Sequence, residues 1–270
     1  WVVLETGLGG SYDATNAVKK SKVTAITAVD YDHVEVLGKT LQKIAKDKAG
    51  IIKTGSHFFT AEQRPSILKI LKFICAQRQV PFHQVRGQTA QSRNVAMVKA
   101  IGKHLKLKAR AVDSGIVRTK LPARFELMQT KPRIILDGAH NKVKMKSTAE
   151  QLRLQEYNKL ILIISIGNKK DPDEILSQII PLADVVIFTT FKDWYRKPHS
   201  MSALNQAAKK YLKKNAKTLS ISDNKKALAK AKKIAHDDDL IVATGSFYLA
   251  GQLRAQWFSE KYILNERKSF

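Results

Sequence analysis

Glu5 and His33 are the first two residues whose types could do chemistry together. Each follows a stretch that reads as a β-strand: WVVL (residues 1–4), the end of a buried strand, before Glu5, and KVTAITAV (22–29) before the DYDH turn that carries His33. In α/β sheets, ligands gather beyond the carboxyl ends of the strands. A carboxylate and a neutral imidazole on adjacent strand ends can share a divalent cation, and magnesium needs few protein ligands when phosphate oxygens complete its shell. Alone the pair says little, because Glu and His at strand ends more often serve as a helix cap and a surface residue. Asp137 holds the same kind of place, at the end of the apolar run RIIL, where a catalytic carboxylate belongs in such a sheet.

A loop that cradles phosphates with backbone amides has the pattern G-x-x-x-x-G-K-[ST]. The sequence has one G-K-T, Gly38-Lys39-Thr40, but His33 stands five residues before Gly38, where the first glycine is required. It is a lookalike.

These residues need a scaffold, and the pattern of the chain supplies one. Short β-branched runs predict strands at 57–61, 79–85, 133–137, 159–167, 184–191, 219–222 and 239–245, besides the two above. Helical periodicity separates them at 38–50, 65–79, 92–107, 144–156, 172–180, 200–215, 224–236 and 246–260. Strands alternating with amphipathic helices predict an α/β fold with parallel sheets. The polar stretch 108–121, with Gly115, is the best linker, giving domains 1–120 and 121–270.

The net charge is +25. Residues 1–120 carry 21 Lys+Arg against 8 Asp+Glu, and residues 121–270 carry 27 against 15, so the excess is spread evenly. That argues against a specific nucleic-acid interface, which gathers its charge on one face, while favouring anionic ligands in general. Cys75 is the one cysteine and lies in an apolar helical run; with no partner it reads as a buried thiol of a reducing, cytoplasmic compartment. No apolar run approaches membrane-spanning length, so no membrane partner is expected.

Two longer strings decide the reading. E-x-G-L-G-G-x-x-D-A-T-N begins at Glu5, and L-G-x-T-x-x-x-I-A-x-x-K-A-G-I runs from Leu37 to Ile51. PARFELMQTKPRIILDGAHN (122–141) and ATGSFYLAGQLR (243–254) follow in the second half. Together they resemble the folylpolyglutamate synthase and dihydrofolate synthase family, relatives of the Mur ligases. The resemblance implies the remainder of a P-loop-type parallel-sheet ATPase domain, followed by a smaller Rossmann-like domain. It implies ATP and Mg²⁺ as cofactors, folate or dihydropteroate and L-glutamate as substrates, and a cytoplasmic monomer. By resemblance Glu5 and His33 are the magnesium ligands. Lys48 matches a lysine that the family carbamylates. Asn94 matches the adenine contact, Arg124 reaches the ATP phosphates, and Asp137 and His140 sit where ATP, acyl phosphate and glutamate meet. Ser246 either touches glutamate or caps a helix.

The sequence departs from that pattern at Ser11 for arginine, Ala90 for histidine, Ala123 for glycine and Lys142 for proline, and the stretch between Pro81 and Asn94 is short. Ala123 matters if its backbone needs a positive φ. The resemblance places the phosphate loop and the folate region upstream of Glu5. The chain is therefore expected to be the later part of an ATP-dependent ligase, inactive by itself; the alternative is a non-catalytic remnant acting at most as a binding module.

Overall fold

The β-branched runs form strands where both flanks can be covered, and the amphipathic runs between them form helices that do the covering. The computed structural model describes residues 2–119 and 121–266. The chain divides into two compact units, residues 1–118 and 119–270.

The first unit runs β1 (Val23–Ile26), α1 (Val34–Leu37), α2 (Leu41–Lys48), β2 (His57–Thr60), α3 (Pro65–Gln77), β3 (Phe82–Gln84), α4 (Ala90–His104) and α5 (Ala109–Arg118). Its described strands form a parallel sheet in the order β1-β2-β3. Ile26, Ile44, Phe58, Ile67, Leu71 and Cys75 meet in its core. Burial pushes the Cys75 thiol up to about 11, so it behaves as a small apolar side chain. Pro65 starts α3 at a position where its missing N–H is no loss. Just before it, the buried Glu62 carboxylate accepts the N–H groups of Val29, Gln63 and Arg64 and pairs with the Arg64 guanidinium at 2.9 Å. Three imidazoles converge from β2, β3 and the end of α4. His57 Nδ1 lies 3.0 Å from His83 Nε2, and the His104 ring centroid is 4.0 Å from that of His57.

The second unit runs β4 (Glu126–Thr130), β5 (Arg133–Leu136), α6 (Lys142–Arg153), β6 (Leu160–Ile164), α7 (Pro172–Ile179), β7 (Val185–Phe188), α8 (Met201–Ala208), β8 (Lys217–Ser220), α9 (Asn224–Ile234), β9 (Leu240–Thr244), α10 (Phe247–Arg254) and α11 (Glu260–Glu266). The sheet order among described residues is β4-β5-β9-β6-β7-β8. Every residue of β6 and β9 is buried, as expected for central parallel strands covered on both faces.

Three expectations need correction. The sheet of the second unit is mixed, because β4 pairs antiparallel with β5. No residue of this edge strand is fully buried, and polar Glu126, Gln129 and Thr130 flank Leu127 and Met128, so it presents no apolar run. The supposed linker 108–121 is mostly helix α5: Val112 and Ile116, four residues apart, are half-buried. Val112 reaches Gly102 of α4 so closely that a β-carbon there would stand 2.7 Å away, and Lys99 pairs with Asp113 at 2.9 Å. Residues 2–4 form no strand. Val2 and Val3 are 81% and 96% exposed, with no layer among the described residues to cover them; Trp1 lies outside the described residues.

One ion pair ties the edge of the second sheet to its last layer. Arg254 of α10 donates from Nε and Nη2 to both carboxylate oxygens of Glu126 at 2.9–3.1 Å, and both side chains are nearly buried. Glu126 also accepts the Ala123 N–H (2.9 Å). Removing one partner leaves the other charged in a desolvated place. Glu126→Ala is therefore expected to lower the stability of the second unit by about 3 kcal/mol, read as a lower urea midpoint for that unit.

Candidate active site

In the first unit the glycine-rich stretch is a loop held from inside by one carboxylate. Asp13 Oδ2 accepts the N–H groups of Gly7 (3.0 Å) and Leu8 (2.9 Å), and Oδ1 accepts the Thr15 N–H (3.0 Å) and hydroxyl. The Thr15 hydroxyl and these amides hold the Asp13 carboxyl at about 2, well below the usual range. The loop is pressed onto the end of α2. Ser11 donates its N–H and its hydroxyl to the Asp47 carbonyl, both at 3.0 Å. A β-carbon on Gly10 would stand 2.7 Å from the Lys48 carbonyl, and one on Gly50 would stand 2.6 Å from Ser11 Cα. Ser11, which departs from the family's arginine, is thus a clasp between loop and helix.

That packing sets the half-buried Lys48 beside the loop that follows Glu5. Glu5 is exposed. His33 is exposed too, in the left-handed region (φ 48°) at the start of α1, with Asp32 and Glu35 carboxylates 3.9 and 4.0 Å from its ring nitrogens. Among the described residues no three His, Cys, Asp or Glu side chains stand together as a complete metal cage. One carboxylate and one imidazole suit a magnesium ion that takes its other ligands from water and phosphate. Asn94 is exposed in the first turns of α4, which Thr89 and Ser92 open with a capping box.

In the second unit the buried Asp137 carboxylate organises the surroundings of β5. Oδ1 accepts the Ala139 N–H (3.0 Å) and the Thr148 hydroxyl (2.7 Å) of α6, and Oδ2 accepts the Phe125 N–H (2.9 Å). These bonds fold residues 122–125 back onto the end of β5, where Gly138 donates to the Ala123 carbonyl (2.7 Å). Ala123 and Phe125 both take positive φ, 53° and 50°. The position where Ala123 replaces glycine is therefore one that glycine would occupy without strain.

Arg124 projects from this turn, exposed, with its guanidinium carbon 4.7 Å from the centre of the Phe247 ring. Phe247 lies on Gly138, where a β-carbon would stand 2.2 Å from its ring, and its centroid is 5.2 Å from that of His140. His140 Nδ1 is 2.8 Å from the Gly138 carbonyl, so that nitrogen carries the proton and donates. Its Nε2, 3.2 Å from Lys144 Nζ, is then the acceptor. The fold thus brings Arg124 and His140 against Phe247, with Lys144 beside His140. Ser246 is buried and caps α10, accepting the Tyr248 N–H (3.0 Å). Lys142, in place of proline, fills the first position of α6, and Asn141 caps that helix. Sequence reasoning missed Phe247, Lys144 and Thr148. Phe247 occupies the variable place of T-G-S-x-Y, and Lys144 and Thr148 follow His140 at helical spacings of four and eight.

A family model described as "Mur ligase, glutamate ligase domain" matches residues 123–247. The dihydrofolate synthase/folylpolyglutamate synthase of Bacillus subtilis (strain 168) is 28% identical over 231 residues, which is 71% of this chain and 54% of that protein. The chain is thus similar, in its second half to a glutamate ligase domain and over most of its length to folylpolyglutamate synthase/dihydrofolate synthase relatives. Its fold is similar to that of the Mycobacterium tuberculosis folylpolyglutamate synthase complexed with ADP (TM-score 0.79, 22% identity, 93% of this chain and 66% of that one). It is also similar to E. coli FolC in complex with DHPP and ADP (TM-score 0.77, 20% identity, 98% and 66%). The chain thus spans about half the length of the Bacillus relative and two thirds of these structures. No helix among the described residues is long and apolar enough to cross a membrane.

Two outcomes test the first unit. The folded Asp13 pKa lies below the unfolded value of about 3.9, so its contribution to loop order is complete above that pH and is lost as pH falls towards 2. Amide resonances of Gly7, Leu8 and Thr15 should titrate together with a midpoint near 2, and in Asp13→Asn they should not. Gly10→Ala should push the loop off α2 and destabilise the first unit by about 1–3 kcal/mol, seen as earlier amide exchange of Ser11 and Lys48.

Proposed function

We propose that this chain is the later part of an ATP-dependent ligase that joins L-glutamate to a folate or dihydropteroate carboxylate. The match of residues 123–247 to a glutamate ligase domain supports a glutamate ligase, and the Arg124–Phe247–His140–Lys144 group is the observation that carries the reading. In the expected reaction an oxygen of the folate or dihydropteroate carboxylate attacks the γ-phosphorus of ATP. The bond to the bridging oxygen breaks, leaving ADP and an acyl phosphate. The glutamate amine then attacks the acyl carbon, and phosphate leaves as the amide forms.

Arg124 is exposed and fixed at its base by the Asp137-held turn, so it can meet phosphoryl oxygens with little reorganisation. Phe247 limits where its guanidinium can go. The Lys144 ammonium beside His140 Nε2 presents positive charge to a carboxylate of glutamate or to the leaving phosphate. Asp137 has three internal donors, so its role is positioning: it sets Arg124 and His140 through the backbone on either side. Ser246 keeps one hydroxyl proton and one lone pair beyond its cap, and through these it would meet substrate. Lys48, as a carbamate, would add a carboxylate at the edge of the glycine-rich loop, and Asn94 would meet the adenine. Glu5 and His33 would hold magnesium, whose chemistry when bound is to neutralise phosphate charge.

The test is ADP release by the protein that carries this chain, with pteroate or folate and L-glutamate. Release should require both substrates. Arg124→Ala is expected to lower kcat by roughly 10²–10³-fold at unchanged melting temperature. Release without glutamate, or an Arg124→Ala enzyme of normal kcat, overturns the reading. No ADP release under any condition favours the binding-module alternative.

A further inference from the structure

The loop between β7 and α8 has a use that the ligase reading leaves open. It lies beyond the carboxyl ends of β6 and β7, the side of an α/β sheet where ligands bind. Both of its flanks are sewn down. On one side Gln252 of α10 donates to the Lys192 carbonyl (2.6 Å) and accepts the Lys192 N–H (3.3 Å), and the Thr190 hydroxyl donates to the Ser222 carbonyl (2.8 Å). On the other, the loop after β6 is zipped to it: Asn168 N–H to the Lys197 carbonyl (2.9 Å), His199 N–H to the Ile166 carbonyl (2.8 Å), and a Gly167–Pro198 bridge.

Between these ties residues 193–196 stand out as a built tip. Asp193 Oδ1 accepts the N–H groups of Tyr195 (3.0 Å) and Arg196 (2.7 Å) and fixes the turn. At its crest Trp194 and Tyr195 are 96% and 92% exposed. Lys192, Arg196 and Lys197 of the same loop, and Lys169 and Lys170 of the loop zipped to it, are all exposed, while the tip's one carboxylate is already committed to the turn. Two adjacent large aromatic faces held in water by an ordered turn gain nothing for folding, and an aromatic pair on a loop with this many exposed cations suits a ligand with a π-face and negative charge.

We propose that this tip is a stacking platform for a planar heteroaromatic ring that carries an anionic tail. The ring lies on Trp194 or Tyr195, and the tail pairs with Arg196 and the lysines. A purine nucleotide and a pteroyl-glutamate share that chemistry, and binding experiments separate them. The inference goes beyond the ligase reading and is measured without turnover, so loss of one leaves the other standing.

Calorimetric titration with ADP, with folic acid and with pyrophosphate, an anion without a ring, tests it. At least one ring-bearing anion should bind more tightly than pyrophosphate, and its identity names the source. Trp194→Ala with Tyr195→Ala should raise its Kd about tenfold, with an unchanged melting temperature because neither ring is buried. Arg196→Glu should weaken the same ligand and steepen nothing in the unfolding curve. Equal Kd values in wild type and the double variant overturn the proposal. So does a single-stranded oligonucleotide that binds far more tightly than ADP and loses that advantage in the double variant, since the tip would then serve nucleic acid.

Discussion

The carboxylate of Asp137 is the constraint on which the arrangement around β5 in the second unit depends. With one donor from the turn before β4, one from the start of the α6 lead-in and one from α6 itself, it fastens three segments that are otherwise separate in the chain. Charge-assisted bonds of this kind are short and directional, and burial makes each unmet partner expensive. The left-handed conformations of Ala123 and Phe125 persist because this carboxylate and the Gly138 N–H hold both sides of the turn. Arg124 lies between the two strained residues, so its direction is inherited from Asp137. The same carboxylate orders the peptide that carries His140, and therefore its tautomer.

The first unit uses the same device in a more exposed place. Asp13 gathers amides of a glycine-rich loop much as Asp137 gathers those of the turn, and the loop is then clamped to the end of α2 by contacts that admit no side chain at Gly10 or Gly50. In both units an acidic side chain converts a flexible stretch into one with a fixed outer surface. The residues left on the outer surface are neighbours of that acid, not the acid itself.

Much of this was legible in the sequence. The strands β6 and β9 are unbroken apolar runs, and their burial on both faces leaves such runs few other uses. Arg124, Asp137 and His140 could be singled out because they sit in fixed strings next to a strand end, and the fold does gather them around one turn. What was hidden has physical reasons. Strand β4 covers an edge and mixes polar with apolar residues, so its pairing partner, not its own pattern, makes it a strand. Helix α5 buries only part of one stripe, and its polar remainder imitates a linker. The imidazoles of His57, His83 and His104 come together from three elements, a juxtaposition that spacing along the chain cannot express. Phe247 was invisible because its partner is the absence of a side chain at Gly138.

Cys75 packs with Ile67 and Leu71 in the core of the first unit and is the chain's one sulfhydryl. A thiol reagent added to the native protein meets a side chain that is both covered and reluctant to ionise. Labelling therefore waits on the opening of that core, and its rate records how often the first unit exposes its interior while the second unit, which holds no sulfhydryl, stays silent.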